Sequence, residues 1–177
     1  MGVHGNGGSW QVIKRMMEGK PVIIHGDGTS LWTMTHNSDF AKAFVGLMGN
    51  VHALGEAFQI TSDETLTWNQ IYQTIADALG VKLHPYYVSS EFLASVSDYD
   101  FTGSLIGDKA NSVVFDNQKL KCAVPDFIAT VRLDQGIRNT ISYILAHPEC
   151  QNDDPEFDTW CDKVIAALET AKKQIIS

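Results

Sequence analysis

The sequence predicts an α/β fold: a small mixed domain with a βαβ unit, a short β-hairpin and about six helices. Three observations carry this. The stretch PVIIHGDGTSLWTMTHNSDFAKAF, Pro21 to Phe44, reads as strand, turn, strand, helix: β-branched Val22, Ile23 and Ile24, a Gly26-Asp27-Gly28 turn cluster, then an extended pattern from Leu31 to Thr35. Thr67-x-x-Gln70 forms a capping box that opens a helix between two extended runs, Ala57 to Ile60 and Lys82 to Val88. Strand, helix and strand joined by short connections imply a parallel pair with a right-handed crossover.

The elements follow in order. Met1 to Gly8 is glycine-rich, yet only Met1 to Val3 precede the glycines, so no buried strand runs into them as a phosphate-cradling turn requires; the segment reads as a lead-in. Ser9 caps a short helix with Trp10, Ile13 and Met17 on one side, closed by Gly19. Beyond the strand-turn-strand stretch, Ser38 or Asn37 caps a helix whose Phe40, Ala43, Phe44, Leu47 and Met48 share a face, and Gly49 ends it.

After the capping box, Trp68, Ile71, Tyr72, Ile75 and Leu79 fall at helical spacing up to Gly80. Ser89 to Asp100 is helical at first, then irregular, and Val113 to Phe115 is a short strand. Asp116 starts a brief helix that Pro125 limits, and Asp134 caps one that Pro148 stops. The last helix has Asp154 at its cap, Pro155 at its first position, and a stripe of Phe157, Trp160, Val164, Leu168, Ala171 and Ile175. Residues 1–150 are read as one domain, with 151–177 as a helix packed on it; Gln151 to Asp154 is the candidate linker.

Composition narrows the function. A chain of 177 residues with 44% hydrophobic content suits one domain with a full core. A net charge of -8 without a basic cluster speaks against nucleic acid and against an anionic membrane surface. The apolar runs are too short to cross a bilayer, and the expected location is cytoplasmic. Cys122, Cys150 and Cys161 are odd in number and widely spaced, which suggests reduced thiols. No His-x-x-x-His or His-x-His pair places two metal ligands on one face, so no metal site is assigned.

Val22 to Ile24, the Gly26-Asp27-Gly28 turn, His36-Asn37-Ser38-Asp39 with Ala41 and Ala43, the run Phe58 to Gly80 and the run Gly107 to Lys121 resemble, in order and spacing, the extended short-chain dehydrogenase/reductases of the NAD-dependent epimerase/dehydratase family. The resemblance covers the family's carboxyl-terminal half, across nearly the whole chain. It implies the portion that closes over the substrate, without the amino-terminal Rossmann half that holds NAD or NADP in the intact enzyme.

Family members catalyse through a Tyr-x-x-x-Lys helix whose lysine lowers the tyrosine's pKa. Four residues after Tyr72, Tyr86, Tyr87, Tyr99 and Tyr143 stand Ala76, Ser90, Glu91, Gly103 and His147, none of them lysine. The chain is therefore expected to be catalytically incomplete, with no catalytic residue and no cofactor of its own. Its expected partners are the missing Rossmann half and a small-molecule substrate, with a homodimer favoured by the apolar face an isolated half exposes.

Carried over by the resemblance, the substrate contacts fall at Ser9, at Ile23 and His25, at Trp32 and Met34, and at Leu105 and Asp108 within Leu105-Ile106-Gly107-Asp108. The two arginines that grip the diphosphate in nucleotide-sugar members correspond to Trp32 and Leu105. Neither can offer a planar fork of donors to phosphate, so a substrate without a nucleotide diphosphate is expected. Each position has a plain structural alternative: a backbone-bonded strand histidine at His25, hairpin packing at Trp32, a corner-fixing role for His36 and Asp39, a local cap at Asp108. Two other readings stand beside this one. An RNA-binding module of the same architecture would need a basic stripe, and Lys14-Arg15, Lys119-Lys121 and Lys172-Lys173 are separate. The other is an oligomerisation unit built on the final helix.

Overall fold

Residues 1–176 are described by a computed structural model in which short strands alternate with helices. Helix α1 (Trp10–Met17) leads into strand β1 (Val22–His25), which is buried along its length. Strand β2 (Leu31–Trp32) precedes helix α2 (Asn37–Leu47). Strand β3 (Leu66–Thr67) runs directly into α3 (Trp68–Leu79), followed by β4 (Pro85–Val88) and α4 (Ser90–Ser95). A π-helical segment spans Thr102–Lys109, and α5 (Gln118–Ala123), α6 (Leu133–Ala146) and α7 (Pro155–Ile176) complete the chain. That makes seven α-helices among the described residues, against about six expected.

The strands form two small sheets. β1 pairs in parallel with β4, from Val22 opposite Pro85 to His25 opposite Val88, and β2 pairs antiparallel with β3, Leu31 opposite Thr67 and Trp32 opposite Leu66. Two expectations are corrected here. The strands flanking Gly26-Asp27-Gly28 do not form a hairpin with each other, because the turn between them is fastened elsewhere. Gly26 and Gly28 take φ of 60° and 73°, and Asp27 Oδ1 accepts the Thr29 amide at 2.9 Å. Asn69 then clamps the turn, its side-chain amide donating to the Asp27 carbonyl at 3.0 Å and its backbone N–H to the Gly28 carbonyl at 2.9 Å. Any side chain at Gly28 would run into the Asn69 carboxamide, so only glycine fits. The chain is thereby delivered to the start of α3, where β2 meets β3.

The second correction concerns the βαβ unit. Ala57 to Ile60 alternates outward and inward as a strand does, but no strand pairs with it among the described residues, and the parallel partner of β4 is β1. The parallel unit with α3 in its crossover exists; its first strand lies further upstream. Val113 to Phe115 is likewise no strand, and only the Val113 amide reaches β2, donating to the Leu31 carbonyl at 3.2 Å.

Local chemistry sets the helix ends. Thr67 and Gln70 form the reciprocal capping box at α3, and Gly80 closes that helix in the left-handed region at φ 68°. Helix α2 is capped by His36, whose Nδ1 accepts the Ser38 amide, instead of by Ser38 or Asn37. Asp134 lies inside the first turn of α6 and pairs with Arg138 at 2.7 Å; the orphan amide of Leu133 goes to the distant Glu64 carboxylate at 2.8 Å. Asp153 and Asp154 bond Trp10 and Gly7, and Asp154 Oδ1 accepts the Phe157 amide at the start of α7. Behind them Arg15 is sealed between α1 and α7, donating to the Pro21 carbonyl, to Asp158 at 2.6 Å and to Asp162 at 2.7 Å.

The main core gathers Ile24, Trp68, Tyr72, Leu93, Leu105 and Phe157. A separate, smaller cluster holds Ala43, Leu120 and Phe127, with Phe58, Ile60 and Val124 partly buried against it. Of the face expected on α2, only Ala43 is buried; Phe40, Phe44 and Met48 are exposed. No helix among the described residues is long and apolar enough to cross a membrane.

Candidate functional site

The end of β1 and the start of α3 converge because the Gly26–Ser30 turn ties them. The Asn69 amide is taken by the Gly28 carbonyl, the Trp68 amide by the Ser30 carbonyl at 3.3 Å, and the Gln70 amide by Thr67 Oγ1 at 3.2 Å. A free helix N-terminus would receive an anion; this one has its donors occupied by protein. The Gly26-x-Gly28 turn also runs into β2 instead of into a helix. This turn and this helix start therefore do not fit a dinucleotide pyrophosphate.

Trp68, buried in the core, is the residue on which this corner packs. Its ring meets His25 edge-on at 5.3 Å between centroids and lies tilted against Trp32 at 5.6 Å. His25 and Trp68 are buried, whereas Trp32 is half-buried and keeps an outward surface. Gly2 makes this packing possible, since a Cβ there would stand 2.7 Å from the His25 ring.

Lys109 joins the parts. Coming at the end of the π-helical segment, its carbonyl has no helical partner downstream, and it accepts His25 Nε2–H at 3.1 Å and Ser30 Oγ–H at 2.8 Å. Its ammonium donates to the Ser104 carbonyl at 3.1 Å, lies 3.3 Å from Asp108 Oδ2, and stands 5.8 Å from the centre of the Trp32 ring, within cation–π range.

Burial pushes the His25 imidazole below its ordinary pKa; the hydrogen bond to the Lys109 carbonyl opposes this and the nearby Lys109 charge reinforces it. The ring is neutral at neutral pH, donates from Nε2, and leaves Nδ1 as an acceptor. His25 Nδ1 and Trp68 Nε1 are both buried without a hydrogen-bond partner among the described residues. Asp27, outside the site proper, is held below the usual carboxylate range by its bonds from the Thr29 hydroxyl and amide.

The structure brings His25, Trp32 and Asp108 together around Lys109 and Trp68. Ser9 lies at the lead-in, where its Oγ accepts from the Met1 amino group at 2.8 Å. Ile23 and Leu105 have their side chains sealed in the core, so those positions offer a ligand backbone only. Met34 stands apart, on a cavity of about 100 Å³ shared with His36, Leu133, Gly136 and Ile137. Trp68 is buried in the main core, as its place in the helical stripe predicts; its contacts with His25 and Trp32 were not foreseen, and neither was Lys109. Trp68 follows the capping threonine directly and Lys109 follows Gly107-Asp108, so both were adjacent to motifs already singled out.

No family model matches the chain. It is 30% identical over 84 residues to the 2'-dehydrokanamycin reductase of Streptomyces kanamyceticus, covering 47% of this chain and 24% of that protein. It is 26% identical over 134 residues to the uncharacterized UDP-glucose epimerase YtcB of Bacillus subtilis, covering 76% and 37%. Among solved structures, UDP-glucuronic acid 4-epimerase from Bacillus cereus in complex with NAD superposes with a TM-score of 0.56 at 21% identity, over 75% of this chain and 35% of the enzyme. MoeE5 in complex with UDP-glucuronic acid and NAD gives 0.55 at 25% identity, over 76% and 41%. The chain thus spans 24% to 41% of the length of these relatives. It has the fold of the carboxyl-terminal portion of the epimerase/dehydratase enzymes among the short-chain dehydrogenase/reductases.

Proposed function

We propose that this chain is the substrate-binding portion of a larger NAD(P)-dependent epimerase/dehydratase-like oxidoreductase, and that it carries no catalytic residue itself. NAD or NADP would be held by the amino-terminal half that the relatives possess. Support comes from the missing Tyr-x-x-x-Lys and from the occupied amides at the start of α3. Cofactor chemistry belongs to that other half. The residues here bind and orient: Trp32 offers an apolar platform for one face of a ring, and Asp108 and Lys109 offer an acceptor and a donor at its edge.

The substrate we propose is a small hydroxyl-bearing molecule, a sugar or amino sugar, without a nucleotide diphosphate. The observation that carries this is the pairing of Lys109 with Asp108 beside Trp32. The cation beside Trp32, one of the two positions that correspond to the diphosphate-gripping arginines of nucleotide-sugar enzymes, is Lys109, and it is already shared with a carboxylate, so the pair is close to neutral as a unit. A dianionic diphosphate gains little there, and the net charge of -8 works against it.

NMR titration of the labelled chain with UDP-glucose, with glucose and with kanamycin tests the reading. Saturable shifts at Trp32, Trp68 and Lys109 with a free sugar or the aminoglycoside, and none with UDP-glucose, are expected. Saturable shifts at those residues with UDP-glucose contradict it.

A further inference from the structure

The two ends of Lys109 do different work. Its carbonyl takes the His25 ring and the Ser30 hydroxyl, so it fastens the fold whatever side chain stands there. The ammonium is held more loosely. Its carboxylate partner is the adjacent, half-exposed Asp108 at 3.3 Å, its aromatic partner is the half-buried Trp32 at 5.8 Å, and the one carbonyl it reaches, that of Ser104 at 3.1 Å, lies within the same π-helical segment. An ion pair open to water and a cation–π contact near the limit of its range each contribute little.

The place that the ammonium occupies says more than how tightly it is held. An aromatic face with a carboxylate at its edge is an arrangement that recognises an ammonium ion, because ring face and anion attract the same charge. Over the two stretches that build this face, Gly26 to Met34 and Tyr99 to Ser112, the charged residues are Asp27, Asp100, Asp108 and Lys109. Asp27 and Asp100 are turned to their own loops, where they accept the amides of Thr29 and Gly103. Among the described residues the Asp108 carboxylate meets no partner except Lys109. Asp108 is therefore the carboxylate that a ligand can use, with the single cation of this face tethered beside it.

We infer that Lys109 is a tethered stand-in for a substrate ammonium, and that the site selects a protonated amino sugar whose amino group replaces Lys109 Nζ on Asp108 and Trp32. This deepens the function proposed above and rests on it. The incoming sugar brings what lysine lacks, a ring to lie against Trp32, while the Lys109 ammonium swings out on its flexible four-carbon stem. A neutral sugar has no charge to exchange; it leaves Lys109 in place and takes a hydrogen bond from it. The preference comes from Asp108 and Trp32, and Lys109 keeps both satisfied until a charged ring displaces it.

The test compares glucosamine with glucose on the full chain by NMR titration, at constant ionic strength and slightly acidic pH, following the Trp32 ring and the Lys109 Hε protons. Both sugars are expected to shift Trp32, with glucosamine binding more tightly. Glucosamine alone should move the Lys109 Hε signals to those of a solvated lysine. Lys109→Met, which keeps the stem and removes the charge, should bind glucosamine about tenfold more tightly and glucose more weakly, a crossing that damage to the fold does not produce. Asp108→Asn should abolish the advantage of glucosamine over glucose. Equal affinity for the two sugars, or a Lys109→Met chain that binds both more weakly, overturns the inference and leaves the proposed function standing. Where Lys109→Met does not fold, the unaltered chain decides: Lys109 Hε signals that stay in place at saturating glucosamine overturn it. If neither sugar shifts Trp32, the proposed function falls and this inference with it.

Discussion

The carboxylate of Asp39 accepts the backbone amide of Val131 at 2.8 Å, joining the first turn of α2 to the segment that leads into α6. Lys42 and Thr130 complete its shell at 2.8 and 3.2 Å. Burial alone would raise the Asp39 pKa, but the bonds from Lys42 and from the 130–131 segment outweigh it and hold the group at about 2.

A folded-state pKa below the unfolded value of about 3.9 means a stabilisation that is complete above that value and lost as pH falls through it toward 2. Asp39→Asn should cost about 2 kcal/mol at neutral pH and flatten the acid limb of stability between about pH 4 and 2. Urea unfolding of both proteins across that range measures it.

Arg15 is 1% exposed and bonds two carbonyls and two carboxylates. Arg15→Ala takes one of two cations from Asp158, which is only 19% exposed and keeps Lys20 at 2.8 Å, and leaves the Pro21 carbonyl without its donor; it should destabilise the chain by about 2–3 kcal/mol. Arg15→Lys should recover only a minor part, since a point-like ammonium cannot reach Pro21, Asp158 and Asp162 together. Thermal midpoints of the three proteins decide the matter.

The ends of α3 give two independent, smaller effects. Thr67→Ala opens the capping box and should cost about 1 kcal/mol. Gly80→Ala forces a Cβ into φ 68° and should cost about the same. The sites lie at opposite ends of the helix, so the double variant should show the sum in denaturant melts.

His25 titrates below its ordinary value in the folded chain, because it is buried and lies near Lys109. The unfolded chain then binds the proton more readily, so stability present above about pH 6.5 is lost as pH falls below it. His25→Phe should remove that slope in the Tm profile, whereas a slope that persists assigns it to another group.

What could be read from the sequence was local. The capping box, the left-handed Gly80 and the start of α7 each depend on residues within a few positions of one another, and all three are present. What could not be read was pairing at a distance. β1 looked as if it should fold back on β2, but its partner β4 arrives after α3, and the decisive fastening is Asn69 on the Gly28 turn. The cap on α6 comes from Glu64, remote in the chain. At the candidate site, His25, Trp32 and Asp108 were proposed through the resemblance, and Lys109 was not, because its carbonyl and its ammonium act in two directions that only the π-helical turn sets.

The function proposed above has this chain recognise a substrate, with the dinucleotide held by a further portion such as its relatives carry. Calorimetric titration of NAD, and separately NADP, into the purified chain tests this most directly. The account predicts no saturable heat with either. Stoichiometric binding of one of them by the chain alone would contradict it.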